Sequence, residues 1–251
     1  MSFNYDYKAR KEKLEEILDG MDKINEVSVL PRDGDFTYKN GYKAWVSAIF
    51  IDIRNSTELI SDNSELDVAK VIRGFTSEII EILRKDSDNL KEIGIRGDCV
   101  YAVYSVPYQK DIFNLAKRAY YVNTYLEMLN SELSKRKLPN IKAGIGLASS
   151  KTLVVKAGRH SSGINNLVWI GESVAMACNL ANIANKEGNK PIVLSGNFYY
   201  NYSDYINNSV PDSKTTLTYF EKKYSERYGD YYSGNVIIKT FYDWINNGMP
   251  L

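Results

Sequence analysis

The chain has 251 residues, 44% of them hydrophobic, and a formal net charge of +1. That is enough apolar material for one sizeable core, and too little net charge to draw nucleic acid or an anionic membrane by global electrostatics. No apolar run reaches the ~18 residues a membrane-spanning helix needs, and the first residues lack the apolar centre of a secretion signal. Two cysteines, Cys99 and Cys178, are too few for a disulfide framework and fit a reducing cytoplasm. The single histidine, His160, rules out a clustered zinc site and stands in a polar loop, where a solvated role is expected. Carboxylates and hard metal ions remain as the catalytic equipment.

Between Tyr5 and Val27 apolar residues recur at Leu14, Ile17, Leu18, Met21 and Ile24 with helical spacing. This helix packs either on its own domain or against a second copy. Residues 1–34 therefore read as an N-terminal helix and linker, and 35–251 as the catalytic domain with a C-terminal extension. Ala44 to Ile53 is a nearly unbroken apolar, β-prone run, as expected of a strand covered on both faces. After a polar loop, Val68, Val71, Ile72, Phe75, Ile79 and Leu83 mark one face of a helix, with Ser64 and Asp67 as capping residues. Leu90–Arg96 and Cys99–Ser105 read as a hairpin turning at Gly97-Asp98. A second amphipathic helix covers 111–133. Ile141–Ala148 reads as a strand with Thr152–Lys156 as its hairpin partner. Asn165–Ile170 is a short strand, a helix runs from Gly171 to about Asn185, and Ile192–Leu194 is a last short strand. The Tyr-rich segment after Ser195 is weakly periodic and reads as peripheral. The order β-α-β-β-α-β predicts an α+β fold with a ferredoxin-like core, an antiparallel sheet with helices on one face.

Two acidic residues stand out in this order. Asp52 ends the first buried strand and is followed by Arg54, Asn55, Ser56 and Thr57; Asp98 sits at the hairpin tip. In a β-α-β-β unit that strand and hairpin are neighbours, so both carboxylates project at one sheet edge. Singly, each reads as a cap or turn residue. Together they repel unless cations neutralise them, and a pair of Mg²⁺ or Mn²⁺ ions is the natural solution. The residues after Asp52 offer backbone N–H groups and hydroxyls to a phosphate chain.

The stretch Phe50-Ile51-Asp52-Ile53-Arg54-Asn55-Ser56-Thr57 resembles the first metal motif of the class III nucleotidyl cyclases, and Gly94-Ile95-Arg96-Gly97-Asp98 resembles their second. Val168 to Val174 resembles their strand-to-helix segment. The likeness spans about Ala44 to Leu194. Gly41 to Trp45 and Lys156 to Trp169 are similar to the bacterial pyrimidine cyclases of the Pycsar antiphage systems. This resemblance implies a 3′,5′-cyclase using two Mn²⁺ or Mg²⁺ ions on Asp52, Asp98 and the Ile53 carbonyl. Phe50, Arg54, Asn55, Ser56, Thr57 and Arg96 would bind substrate. It implies UTP, or else CTP, as substrate, a head-to-tail homodimer with sites at the interface, no nucleic-acid or membrane partner, and a cyclic product that acts on a separate effector.

The pattern is not met everywhere. Positions that read a purine base in the family hold Gly94 and Val168, which argues against an adenylate cyclase. Positions that usually offer Asn and Arg or Lys to the transition state hold Ala175 and Asn179, so Arg54, Arg159 or Lys186 would have to substitute, or the domain binds nucleotide without turnover. A diguanylate cyclase is disfavoured because the hairpin reads Arg96-Gly97-Asp98-Cys99-Val100.

Overall fold

A computed structural model describes residues 5–20, 23–158 and 165–250. His160 and Arg159 lie outside these residues. The elements in chain order are α1 (Tyr7–Asp19), β1 (Lys23–Glu26), β2 (Asn40–Ile53), α2 (Ser56–Asp62), α3 (Glu65–Arg84), β3 (Leu90–Arg96), β4 (Cys99–Ser105), α4 (Gln109–Lys135), β5 (Ala143–Gly158), β6 (Asn165–Ile170), α5 (Glu172–Ile183), β7 (Ile192–Ser195), α6 (Gly196–Ser209), β8 (Phe220–Ser225), β9 (Gly229–Gly234) and α7 (Lys239–Asn246). Among the described residues no helix is long and apolar enough to cross a membrane.

The strands form one sheet in the order β3-β4-β2-β5-β7-β9-β8, with β1 added to β2 and β6 to β5. The segment β2-α3-β3-β4-α4-β5 is the β-α-β-β-α-β unit. Within it β2 lies antiparallel to both β4 and β5. Alternation along the strands divides the sheet into two faces. Ile49, Ile51 and Ile53 of β2, Val100, Ala102 and Tyr104 of β4, and Ile145 and Leu147 of β5 meet one core cluster. Val71, Phe75, Ile79 and Leu83 of α3 cover it, together with Ile112, Leu115, Ala119, Val122 and Leu126 of α4. The opposite face carries Phe50, Ala48 and Val46, packed with Ala177 and Ala181 of α5. The two helices of the β-α-β-β-α-β unit, α3 and α4, thus share one face, as the sequence suggested, and the helix that follows the unit takes the opposite face. α5 crosses to the other because Gly144 and Gly146 let its backbone touch the sheet: a Cβ on Gly146 would lie 2.2 Å from both the Ala177 carbonyl oxygen and the Ala181 nitrogen.

Three expectations are corrected. The N-terminal helix stops at Asp19, and Lys23–Glu26 instead pairs in parallel with Asn40–Lys43. Ala143–Gly158 is one continuous strand whose partner is β6, not a hairpin of its own. Its middle looked like a turn because it is polar, but the polar groups are buried and paired. The Ser150 hydroxyl accepts from the Ser173 N–H at 2.9 Å, and the Thr152 and Ser173 hydroxyls are 2.9 Å apart. The segment after Ser195 is central rather than peripheral. In α6, Phe198, Tyr202 and Ile206 recur every four residues, are fully buried, and belong to the main cluster. β9 then pairs with β7.

Because Phe198 is wholly enclosed, Phe198→Ala should destabilise the protein by about 3–5 kcal/mol in urea unfolding. A peripheral segment would show a change of only a few tenths.

Candidate active site

The β2–β4 register sets Asp52 directly opposite Cys99, the residue after Asp98. Gly97 takes φ +64, the left-handed turn conformation that a glycine tolerates, and so brings Asp98 round to the same end of the sheet. The two carboxylates feel each other. Burial pushes the Asp52 carboxyl above its ordinary range, the Arg54 charge pulls it back, the Asp98 charge pushes it up again and the Lys186 charge eases it. Both acids are partly exposed.

Arg54 holds Asp52 in place. Its Nη2 donates to Asp52 Oδ2 at 2.7 Å, to the Asp52 carbonyl at 3.1 Å and to the Ala181 carbonyl at 2.8 Å, while Nη1 donates to the Asn182 carbonyl at 3.0 Å. The last two acceptors are in the final turn of α5, where carbonyls lack helical partners and a cation is favoured. The Arg54 side chain is only 5% exposed, and its Nε is buried without a partner among the described residues. The sequence reading assigned Arg54 to a phosphate-binding loop; its guanidinium is instead committed to Asp52 and α5. Asn55 follows in the left-handed region at φ 56, and the chain enters α2 with Asn55 and Thr57 exposed and Ser56 half-buried.

Asp52, Phe50, Cys99, Tyr101, Gly94 and Arg96 share one face of β2, β4 and β3 by register. Phe50 stacks on Tyr101, with ring centroids 5.2 Å apart. The Tyr101 hydroxyl and the Trp169 indole N–H each donate to Glu92 at 2.6 Å, one to each carboxylate oxygen. Gly94 leaves room for that ring, since a Cβ there would lie 2.9 Å from the Tyr101 Cε1. Arg96 is exposed beside this cluster. The sequence reading missed Glu92, although its place on the same strand as Gly94 and Arg96 was a usable signal. Burial raises the Cys99 thiol to about 12, so it stays protonated and apolar in character.

Among the described residues no three His, Cys, Asp or Glu side chains come together. The residues here that could hold a cation are Asp52 at the end of β2 and Asp98 in the β3–β4 turn, with the Ile53 carbonyl next in the chain to Asp52. That donor set fits Mg²⁺ or Mn²⁺, which take one or two carboxylates and leave other positions to phosphate oxygens and water. On α5, Ala175 is exposed and Asn179 half-buried, one helical turn apart. The only one of the three suggested substitutes whose charge reaches Asp52 without being buried in the fold, among the described residues, is Lys186.

The sequence profile of the adenylate and guanylate cyclase catalytic domain matches residues 38–189. The chain belongs to that family. It is 45% identical over 245 residues to a uridylate cyclase of Treponema porcinum, covering 98% of this chain and 82% of that one. A uridylate cyclase of Gulbenkiania mobilis is 31% identical over 241 residues and 92% of each chain. The fold is similar to that of the adenylyl cyclase CyaB from P. aeruginosa, with a TM-score of 0.61 at 16% identity over 77% of this chain and 95% of that one. This cyclase carries Asp52 and Asp98 inside the matched span.

If Arg54 anchors Asp52 to α5, Arg54→Ala strands a half-buried carboxylate and frees two helix carbonyls. A loss of about 3 kcal/mol in chemical unfolding is expected. A residue of an exposed phosphate loop would cost a small fraction of that.

Proposed function

We propose that this cyclase converts UTP into 3′,5′-cyclic UMP and pyrophosphate. The observation that carries the reading is the meeting of Asp52 and Asp98 at one sheet end, on a chain whose relatives include two uridylate cyclases. In the reaction the 3′-oxygen bonds to the α-phosphorus, the bond to the β-phosphate oxygen breaks, and the hydroxyl proton passes to solvent. Asp52 and Asp98, with the Ile53 carbonyl, would hold two Mg²⁺ or Mn²⁺ ions. Those ions, when bound, would lower the pKa of the 3′-hydroxyl and offset charge on the departing pyrophosphate. Arg54 fixes the Asp52 carboxylate through the 2.7 Å bond, so the acid need not reorganise during the reaction. Asn55, Ser56 and Thr57 present backbone N–H groups and side-chain polar groups to the phosphate chain.

Base selection falls to the open face. Gly94 and Val168 carry no group that hydrogen-bonds a purine edge, and Arg96 is the exposed cation near Tyr101 and Glu92. We assign Arg96 to the base or the phosphate, and Phe50 to the floor of the pocket. The site is completed by a second copy, whose segment 168–179 forms the opposite wall of a head-to-tail homodimer. The setting we infer is the cytoplasm, where the cyclic product acts on a separate effector in antiphage defence. CTP is the competing substrate. A second reading, binding without turnover, is favoured by one observation, the replacement of the transition-state pair by Ala175 and Asn179.

Incubation of the purified protein with each of the four nucleoside triphosphates and Mn²⁺, followed by mass identification of products, decides among these. Cyclic UMP is expected, and its loss in Asp52→Ala and Asp98→Ala with the fold retained. Triphosphate binding with no pyrophosphate release would establish the second reading instead. Arg96→Ala should change the ratio of kcat/KM between UTP and CTP or ATP; an unchanged ratio removes Arg96 from the base pocket.

A further inference from the structure

The helix α1 is formed but, among the described residues, unpartnered. None of its residues is buried, and Tyr7, Leu14, Ile17 and Leu18 are 68%, 54%, 58% and 70% exposed. Spacing of seven, three and four residues places these side chains along one stripe of the helix. A 13-residue helix with no buried face is marginal in water. An N-cap bond from the Ala9 N–H to Asp6 does not replace a packed face.

The charges on α1 run the wrong way for an isolated helix. From Tyr7 to Lys13 there are four basic residues (Lys8, Arg10, Lys11, Lys13) and one acidic residue, Glu12. From Leu14 to Asp19 there are three acidic residues (Glu15, Glu16, Asp19) and no basic one. The helix dipole favours acids at the N-terminus and bases at the C-terminus, and this order opposes it at both ends. The ion pairs inside α1, Lys11 with Glu15 and Lys13 with Glu16, have the base N-terminal to the acid, the weaker arrangement. Helix stability therefore does not explain the pattern. An antiparallel copy of the same helix does: its acidic half lies beside the basic half of the first, and the two dipoles oppose.

We propose that α1 is an association surface for a second copy of this chain, with the two helices antiparallel. With Tyr7 opposite Leu18, Lys11 of each helix lies on the same flank as Glu15 of the other and within one residue's rise of it, and the Lys11 stem covers Leu14. A parallel pair would set the basic halves together. An anionic membrane surface fits less well, because the C-terminal half of the stripe is flanked by acids. The contact is separate from the active site: β1, which follows α1, pairs with the Asn40–Lys43 end of β2, roughly 30–40 Å along the strand from Asp52. It is independent of which nucleotide is cyclised.

The test uses the full chain. Tyr7→Cys and Leu18→Cys chains are co-expressed and mildly oxidised, and covalent dimers are read on a non-reducing gel. A mixed dimer, bridged from position 7 of one chain to position 18 of the other, should form several-fold above wild type, which carries only Cys99 and Cys178, and above either variant alone. Faster cross-linking within one variant would overturn the antiparallel arrangement, and no cross-link above wild type would overturn the contact. In parallel, Leu14→Glu with Leu18→Glu should raise the dimer dissociation constant by about tenfold or more in sedimentation. Lys11→Glu should also weaken it, and adding Glu15→Lys should restore it. An unchanged constant in the Leu variants would also refute the proposal.

Discussion

One guanidinium connects the chemistry of this cyclase to its architecture. Arg54 leaves the end of β2, turns back to grip the carboxylate two residues before it, and spends its other hydrogen bonds on the last carbonyls of α5. Three costs are met together. A carboxylate lifted by burial gains a neighbouring cation, a buried cation gains acceptors, and a helix end gains donors. The sharp turn into α2 depends on the same anchor, since Asn55 enters the left-handed region directly after it. The position of Asp52 is thus decided jointly by β2 and by a helix whose nearest acceptor lies 127 residues beyond Arg54 in the chain.

The sheet divides its work by face. Under α3, α4 and α6 it is closed and apolar, and supplies the stability. The other face is only partly covered by α5, and Asp52 lies on it with the aromatic side chains of β2 and β4. Asp52 lies at one end and the Phe50–Tyr101 stack follows along β2 and β4. Glu92 then ties Tyr101 to Trp169, so β3, β4 and β6 form one continuous wall. A β-strand alternates between these roles residue by residue, and so Ile51 and Ile53 flank Asp52 without sharing its environment.

Much of this was legible in the amino-acid order. β2 was visible because both its faces are covered, and the β3–β4 hairpin because Gly97-Asp98 is turn chemistry. Their adjacency followed from the β-α-β-β order, so the meeting of Asp52 and Asp98 needed no structure. What stayed hidden was long-range. Nothing near Arg54 announces that its acceptors are in α5, and a loop arginine next to an acid that ends a buried strand reads naturally as a phosphate ligand. The polar centre of β5 read as a turn because the partners of Ser150 and Thr152 come from α5. α6 was missed because its buried face uses Phe198, Tyr202 and Ile206 among Asn, Ser and Tyr, a pattern with little aliphatic contrast. Lys23–Glu26 continued a helical spacing, yet strand pairing with β2 outweighed that local preference.

Gly144 and Gly146 bring α5 into backbone contact with β5, closer than any side chain would permit. Such a contact has no soft layer to shear. Sliding α5 by even a fraction of a turn would drive carbonyls into the strand, and so the helix and the end of the sheet that bears Asp52 travel as a single block.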